Sequence, residues 1–348
     1  MGLRRGRAEL LLLVGSLVFM LAIALVGEIA ARSFSRVDFL GNSRNLFVAD
    51  AYGTSKGNAP NVEAISFGAL VYTDDHGFRI PKGGVPGDED KREAILVLGD
   101  SVGFGPAVEE PETFAGLLRA RLRNRRIYNS SVIGYSTPDY RSVVEAFVPA
   151  HGEVTSVVLV YCLNDVSAQS AQEIDRYLNP KTENVPEQDL TETLRSFAFL
   201  SRANEFLRSR SKLYLLVKHR LLATQERMWK STLSLYEKDR AVDVERSAGD
   251  IAAIAAFLQA RDIPFLVVLS PFEYQLRKRE DPETQIPQRQ VGDLLIRMGV
   301  EYVDARPFFD EHVPSADYFL GYDPMHLSAA GHRVMSEIIA EGLSRAGQ

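Results

Sequence analysis

From residue 94 onward, short apolar runs alternate with longer stretches in which apolar residues recur every three or four positions. Ala94–Leu98, Ile127–Ile133, Val157–Cys162, Phe265–Leu269 and Glu301–Val303 are the short runs. Several are β-branched and apolar at odd and even positions alike, the pattern of strands covered on both faces. Between the first two, Thr113–Leu122 sets Phe114, Leu117, Leu118 and Leu122 along one side of a helix. Thr137-Pro138 predicts the next helix start, with threonine as cap and proline at the first helical position. Ile251–Leu258 and Leu294–Met298 fall on later helices, and Ser328 caps a final one that turns Val334, Ile338, Ile339 and Leu343 inward. This alternation, with right-handed crossovers, predicts an α/β fold on a doubly wound parallel sheet.

Other regions break that rhythm. Leu10 to Gly27 is uncharged and about long enough to cross a hydrocarbon core roughly 30 Å thick. Arg4, Arg5 and Arg7 precede it, so the positive-inside rule keeps residues 1–9 cytoplasmic and makes 10–31 a single-pass anchor. The rest of the chain is then expected outside the cytoplasm, on the periplasmic side of the inner membrane. Glu28 interrupts the region where a signal peptidase would cut, and no Ala-x-Ala pair follows the run. Both points favour a retained anchor over a cleaved signal peptide. Residues 32–90 show little periodicity and many turn formers, among them Gly53, Gly57, Pro60, Gly83, Gly84, Pro86 and Gly87. They read as a juxtamembrane segment that packs on, or links to, the main domain at 91–348.

The stretch from about 170 to 245 reads as a helical insertion. It begins polar, with Asn179, Pro180 and Pro186, then carries Phe197, Leu200, Phe206, Leu213, Leu216 and Leu221. It is locally basic through Arg195, Arg202, Arg208, Arg210, Lys212, Lys218, Arg220, Arg227 and Lys230, against Glu205 and Glu226. The plain reading is a solvated basic face. The sharper one is a lid over a site, or a patch facing anionic head groups or polymer.

With 348 residues the chain can bury one sizeable core and still carry an anchor and an insertion. Its 45% hydrophobic and 25% charged content excludes wholesale disorder, and a net charge of −6 argues against nucleic acid as a partner. A single cysteine, Cys162, excludes an internal disulfide and a cysteine-rich zinc site. Asp74, Asp75 and His76 suggest metal ligands, but three adjacent residues rarely converge on one ion, so they read as a turn. No metal or organic cofactor is expected.

Chemistry concentrates at two places. Gly99-Asp100-Ser101 follows the first apolar run directly, and so puts a hydroxyl where a buried parallel strand ends. A serine needs a base to take its proton and donors to accept the charge forming on a carbonyl oxygen. Near neutral pH that base is a histidine. Of the six histidines, His76 sits in the turn just described, His219 in the basic insertion and His332 one turn into the last helix; His151 follows a helix end and His312 lies in an acidic loop. Only His326 has a carboxylate, Asp323, three residues earlier on what Pro324 makes a turn. Such a turn lets Asp323 orient the ring while its far nitrogen faces outward.

These blocks together resemble the SGNH (GDSL-type) hydrolase family over residues 94 to 348. Gly99-Asp100-Ser101, with Gly103 and Gly105 following, matches its first block, and Gly134 matches the glycine of its second. Cys162-Leu163-Asn164-Asp165 meets the third, Gly-x-Asn-Asp, in part, with cysteine where the family has glycine. Asp323-Pro324-Met325-His326 matches the last, and Gly77-Phe78-Arg79 resembles membrane-tethered bacterial members.

The resemblance implies a flavodoxin-like, three-layer α/β/α fold with Ser101 as nucleophile. It also implies an oxyanion hole from the backbone N–H groups of Ser101 and Gly134 and the side-chain amide of Asn164. Asp100 and Asp165 are expected to brace their loops, and Cys162 to fill space. The expectation is a membrane-anchored, extracytoplasmic serine esterase. Its substrate would be an O-acyl ester, O-acetyl included, on an envelope carbohydrate or lipid. Two other readings use the same residues: an O-acetyltransferase of an envelope polysaccharide pathway, and a catalytically silent carbohydrate-binding or assembly protein.

Overall fold

The computed structural model describes residues 2–35, 37–85, 87, 93–166, 203, 206–222 and 224–346. A long helix, α1 (Gly2–Phe34), opens the chain; its segment Leu11–Phe34 is 24 residues long and includes an 18-residue apolar stretch of mean hydropathy 2.4 with no buried residue. By length and composition it is able to cross a bilayer.

Next comes a hairpin of β1 (Phe47–Ala49) and β2 (Lys56–Asn58), then β3 (Glu63–Ser66), β4 (Ala69–Thr73) and β5 (Arg79–Ile80). Residues 32–90 are thus more than a link: β3, β4 and β5 run antiparallel and extend the main sheet, with β5 pairing β7, a strand described below. Periodicity misses β3 and β4 because each mixes apolar and polar residues on both faces, with Ala64 and Val71 buried beside serine and threonine. Ile65 is 47% and Leu70 41% exposed, while Ser66 and Thr73 are buried. Hydrogen bonds make the burial of these hydroxyls tolerable: Ser66 Oγ donates to Asn42 Oδ1 at 2.7 Å and Thr73 Oγ1 to the Ala59 carbonyl at 2.6 Å.

The main domain continues with β6 (Glu93–Gly99), α2 (Ser101–Phe104), α3 (Phe114–Arg121), β7 (Arg125–Asn129), α4 (Thr137–Phe147) and β8 (Val154–Cys162). Then follow α5 (Lys212–Leu222), α6 (Thr224–Leu233), α7 (Ala241–Gln259), β9 (Phe265–Ser270), α8 (Glu273–Arg277), α9 (Ile286–Arg297), β10 (Tyr302–Asp304) and α10 (Ala329–Ala346). The sheet order is β10-β9-β8-β6-β7-β5-β4-β3, with β10 through β7 parallel. It is therefore mostly, not wholly, parallel. Taking β6 as the first core strand, the parallel part has the flavodoxin-like order 2-1-3-4-5, whose switch point lies between β6 and β8. Beyond Glu93 every residue of β6 is buried, as is nearly all of β8. Helices cover both faces, α3 packing with α10, and α7 with both α4 and α9.

Local signals set these elements. Thr113 caps α3 by accepting from Gly116 N–H at 3.2 Å, and Ser328 accepts from Gly331 N–H at 3.3 Å where α10 begins. At α4 the cap is Ser136, one residue before the expected Thr137, and Asp139 accepts the Ser136 N–H at 2.9 Å. Of the expected insertion, 167–202 lie outside the described residues, with Phe197, Leu200, Arg195 and Arg202; Glu205 does too. Its second half forms α5 and α6, and α5 packs against α1.

Candidate active site

Three loops leave the carboxyl ends of neighbouring strands and converge. Ser101 follows β6, Gly134 follows β7 on one side and Asn164 follows β8 on the other. This is the crevice beside the switch point, where open α/β sheets leave room for ligands. Ser101 begins α2, so its N–H has no acceptor within the helix. Asp100 caps that helix, Oδ1 accepting from Val102 N–H at 2.7 Å. Burial pushes the Asp100 carboxyl above the usual carboxylate range.

The turn at Gly103 needs glycine. A Cβ there would stand 2.4 Å from Ser131 Oγ, and Ser131 lies on the β7 loop that also carries Gly134. The Ser131 side chain thus occupies the space that a side chain at 103 would need, and the serine loop and glycine loop pack closely.

The structure brings Ser101, His326 and Asp323 into one hydrogen-bonded line. His326 Nε2 lies 2.8 Å from Ser101 Oγ, and His326 Nδ1 lies 2.8 Å from Asp323 Oδ2. Asp323 Oδ1 also accepts the Met325 and His326 N–H groups at 2.9 and 2.7 Å. With Nδ1–H donating to that carboxylate, Nε2 keeps its lone pair for the serine proton. Burial would raise the Asp323 pKa, but the His326 charge and these hydrogen bonds outweigh it and hold the carboxyl low. Burial would likewise lower the His326 pKa; the Asp323 charge and hydrogen bond outweigh it and raise it. The turn bearing His326 is tied down by Glu273 N–H, which donates to Pro324 O at 2.8 Å, and by Gln225 of α6, which donates to Asp323 O at 3.2 Å.

Gly134 has φ +83°, a conformation that favours glycine, and its N–H donates to no atom among the described residues. Asn164 sits in the turn after β8, its Oδ1 buried with no hydrogen-bond partner among the described residues. Asp165 braces this turn, Oδ2 accepting from Cys162 N–H at 2.9 Å and Tyr140 OH at 2.7 Å. Burial pushes the Asp165 carboxyl and the Cys162 thiol well up. The Asp74 carboxylate accepts the His76 and Phe78 N–H groups at 3.0 and 2.8 Å, the work of a turn residue.

The N-terminal segment adds residues that periodicity does not single out. Phe67, at φ +48° in the β3–β4 turn, sets its ring edge-on to His326, with centroids 5.4 Å apart. An L-residue held there is strained, and strain of this kind collects at functional sites. Arg79 is wholly buried and donates to the carbonyls of Phe104, Gly105 and Val108, so it binds β5 to the exit of the serine loop. Burial lowers its pKa to about 9. Lys56 and Asn58 of β2 bond to the glycine loop, Lys56 Nζ to Ile133 O at 2.6 Å and Asn58 Nδ2 to Ser131 O at 3.1 Å.

No family model and no curated protein matches this sequence. Among solved structures, the chain is similar to a member of the lipolytic protein G-D-S-L family from Veillonella parvula, at 12% identity and TM-score 0.42, over 73% of this chain and 99% of that one. It is similar to Axe2, an acetylxylan esterase from Geobacillus stearothermophilus, at 13% identity and TM-score 0.41, over 72% of this chain and 94% of that one. A third likeness is to TesA, at 15% identity and TM-score 0.41, over 73% of this chain and 99% of that one. These are distant likenesses, and the chemistry of the site rests on this chain's own residues.

Proposed function

We propose that this chain is a serine esterase of the SGNH type, anchored in a membrane by α1. The observation that carries the reading is the line Ser101 Oγ–His326–Asp323 at the carboxyl edge of the sheet. In this mechanism Ser101 Oγ attacks the ester carbonyl carbon while His326 Nε2 takes its proton. Asp323 stabilises the imidazolium and keeps the ring turned. The N–H groups of Ser101 and Gly134 and the Asn164 amide receive the charge on the carbonyl oxygen. The tetrahedral adduct expels the alcohol, which leaves with the proton from His326, and an acyl-serine remains. Water then attacks, giving its proton to His326, and the carboxylic acid departs as Ser101 regains a proton.

Retention of α1 is supported by its fit to α5. Glu28 accepts from Ser211 Oγ at 2.8 Å and from the Lys212 and Leu213 N–H groups at 3.0 Å each, while Arg32 donates to Arg210 O at 2.7 Å. Loss of the helix would forfeit all of these. On this reading the catalytic domain stays tethered at the membrane. From that placement, and by analogy, we assign O-acyl esters of envelope carbohydrate, acetyl among them, as the substrate class.

Fluorophosphonate treatment of the full-length protein in detergent, followed by peptide mass spectrometry, tests the nucleophile. A single adduct on Ser101 is expected; an adduct elsewhere, or none, would sink the reading. Asn164→Ala is expected to lower kcat for an aryl acetate by about 10²–10³-fold with KM little changed, as loss of one oxyanion donor does. Steady-state kinetics on the two proteins check it.

A further inference from the structure

We infer that Lys56 is a positioning residue of the oxyanion hole, acting through the Ile133–Gly134 peptide; this rests on the reading of Gly134 N–H as an oxyanion donor. Lys56 is 6% exposed, and its Nζ donates to the Ile133 carbonyl at 2.6 Å. That carbonyl and the Gly134 N–H belong to the same peptide unit. The chain has no cis peptide bond among the described residues, so the two groups point in opposite directions. A cation fixed on the oxygen therefore turns the N–H the other way, towards the crevice, and holds it there. It also draws electron density from the nitrogen, which strengthens that N–H as a donor.

The hairpin holding Lys56 is itself well anchored. Thr54 Oγ1 and Tyr135 OH both lie 2.6 Å from the Lys56 carbonyl, and Asn58 binds the same loop two residues upstream of Ile133. Gly57 lets β2 pack closely on Ala51, since a Cβ there would lie 2.3 Å from Ala51 Cβ. The β1–β2 hairpin thus grips alternate residues of the loop, and its one cation is placed on the peptide whose other end carries the Gly134 N–H. No acidic side chain pairs with Lys56 in an ion pair among the described residues.

Two groups act on the ammonium. The Phe47 ring of β1 lies 4.6 Å from Nζ and Asp139 in the first turn of α4 supports the charge, while Tyr135 binds the Lys56 backbone carbonyl. Burial lowers the Lys56 pKa to about 8, outweighing the Asp139 charge, while burial raises both the Asp139 carboxyl and the Tyr135 phenol. Lys56 is then the member of the group that titrates on the alkaline side of neutrality, and it loses its charge as pH rises through that value. His326 acts on the opposite limb, because its neutral form is the base.

The test uses full-length protein, wild type against Lys56→Met and Lys56→Arg, with aryl acetate kinetics across pH, melting temperature and the 15N shift of the Gly134 amide. Expected for Lys56→Met is a fall in kcat of about 10–100-fold, short of deleting a donor outright, with KM within about twofold. Expected for wild type is a decline in kcat above about pH 8 and a Gly134 shift with the same midpoint. Lys56→Arg keeps its rate through that range and shows no such step. Wild-type kcat in Lys56→Met, or an equal loss in both variants that follows melting temperature with an unchanged pH profile, overturns the role. If wild type and Ser101→Ala turn over alike, the esterase reading falls instead, an outcome told apart because the Gly134 shift still titrates with Lys56.

Discussion

Ser101→Ala is expected to lower kcat/KM for an aryl acetate by about 10⁵–10⁶-fold, equivalent to about 7–8 kcal/mol of transition-state stabilisation. The loss is that large because the residue supplies the reacting atom. Without Oγ there is no acyl-enzyme, and His326 and the oxyanion donors are left with at most a slow attack by water. The fold has little reason to change. The Asp100 cap on Val102 and the contact of Gly103 with Ser131 use atoms that the substitution leaves in place. Melting temperature within a few degrees of wild type is therefore expected alongside the collapse in rate. Parallel assays of the two purified proteins, with acetate release followed directly, check both parts. Equal turnover would leave the catalytically silent reading in possession of the fold.

Much of this arrangement is legible in the sequence, for a physical reason. The buried parallel strands β6, β8 and β9 carry continuous β-branched runs, so periodicity locates them to within a few residues. The residues with chemistry then stand immediately after strands or in a turn before a capped helix, where spacing along the chain is enough to find them. Ser101 and His326 need no knowledge of distant contacts to be singled out.

The N-terminal segment is opaque for the opposite reason. Its strands bury serine and threonine beside alanine and valine and expose isoleucine and leucine, so the alternation signal is blurred. Arg79 has three backbone carbonyls for partners, and Phe67 touches His326 from a turn whose backbone is unusual for phenylalanine. Lys56 reaches a carbonyl 77 positions away. Bonds from side chain to a distant backbone leave no trace in residue type, and partners of that kind are found only once the chain is folded. The juxtamembrane segment therefore supplies supports of the serine loop, the glycine loop and the histidine ring.

Asp323→Asn is expected to lower kcat by about 10⁴-fold while moving the acidic limb of the pH–rate profile to lower pH. Two arguments give these two effects. Asp323 Oδ1 accepts the Met325 and His326 N–H groups, so in the variant the amide oxygen keeps that place and the NH₂ faces His326 Nδ1. A donor there forces Nδ1 to accept and puts the ring proton on Nε2, facing Ser101. The ring then has no lone pair for the serine proton, and the rate falls although every residue keeps its position. The shift of the limb has a separate cause. In the wild type the Asp323 charge raises the His326 pKa against the effect of burial, and rate grows as pH rises through that value. Without the charge, burial prevails, the ring loses its proton at lower pH, and the limb follows it down. Stability obeys the same linkage. His326, raised in the fold, contributes below its unfolded pKa and loses that contribution as pH rises through the folded value; Asp323, lowered, contributes above its unfolded pKa and loses it as pH falls. The stability difference between wild type and variant is thus largest in the acidic window between the two, where both groups are charged. Rate profiles and melting curves from about pH 4 to 9 measure both effects, and a limb that stays in place would show that Asp323 does not set the charge of His326.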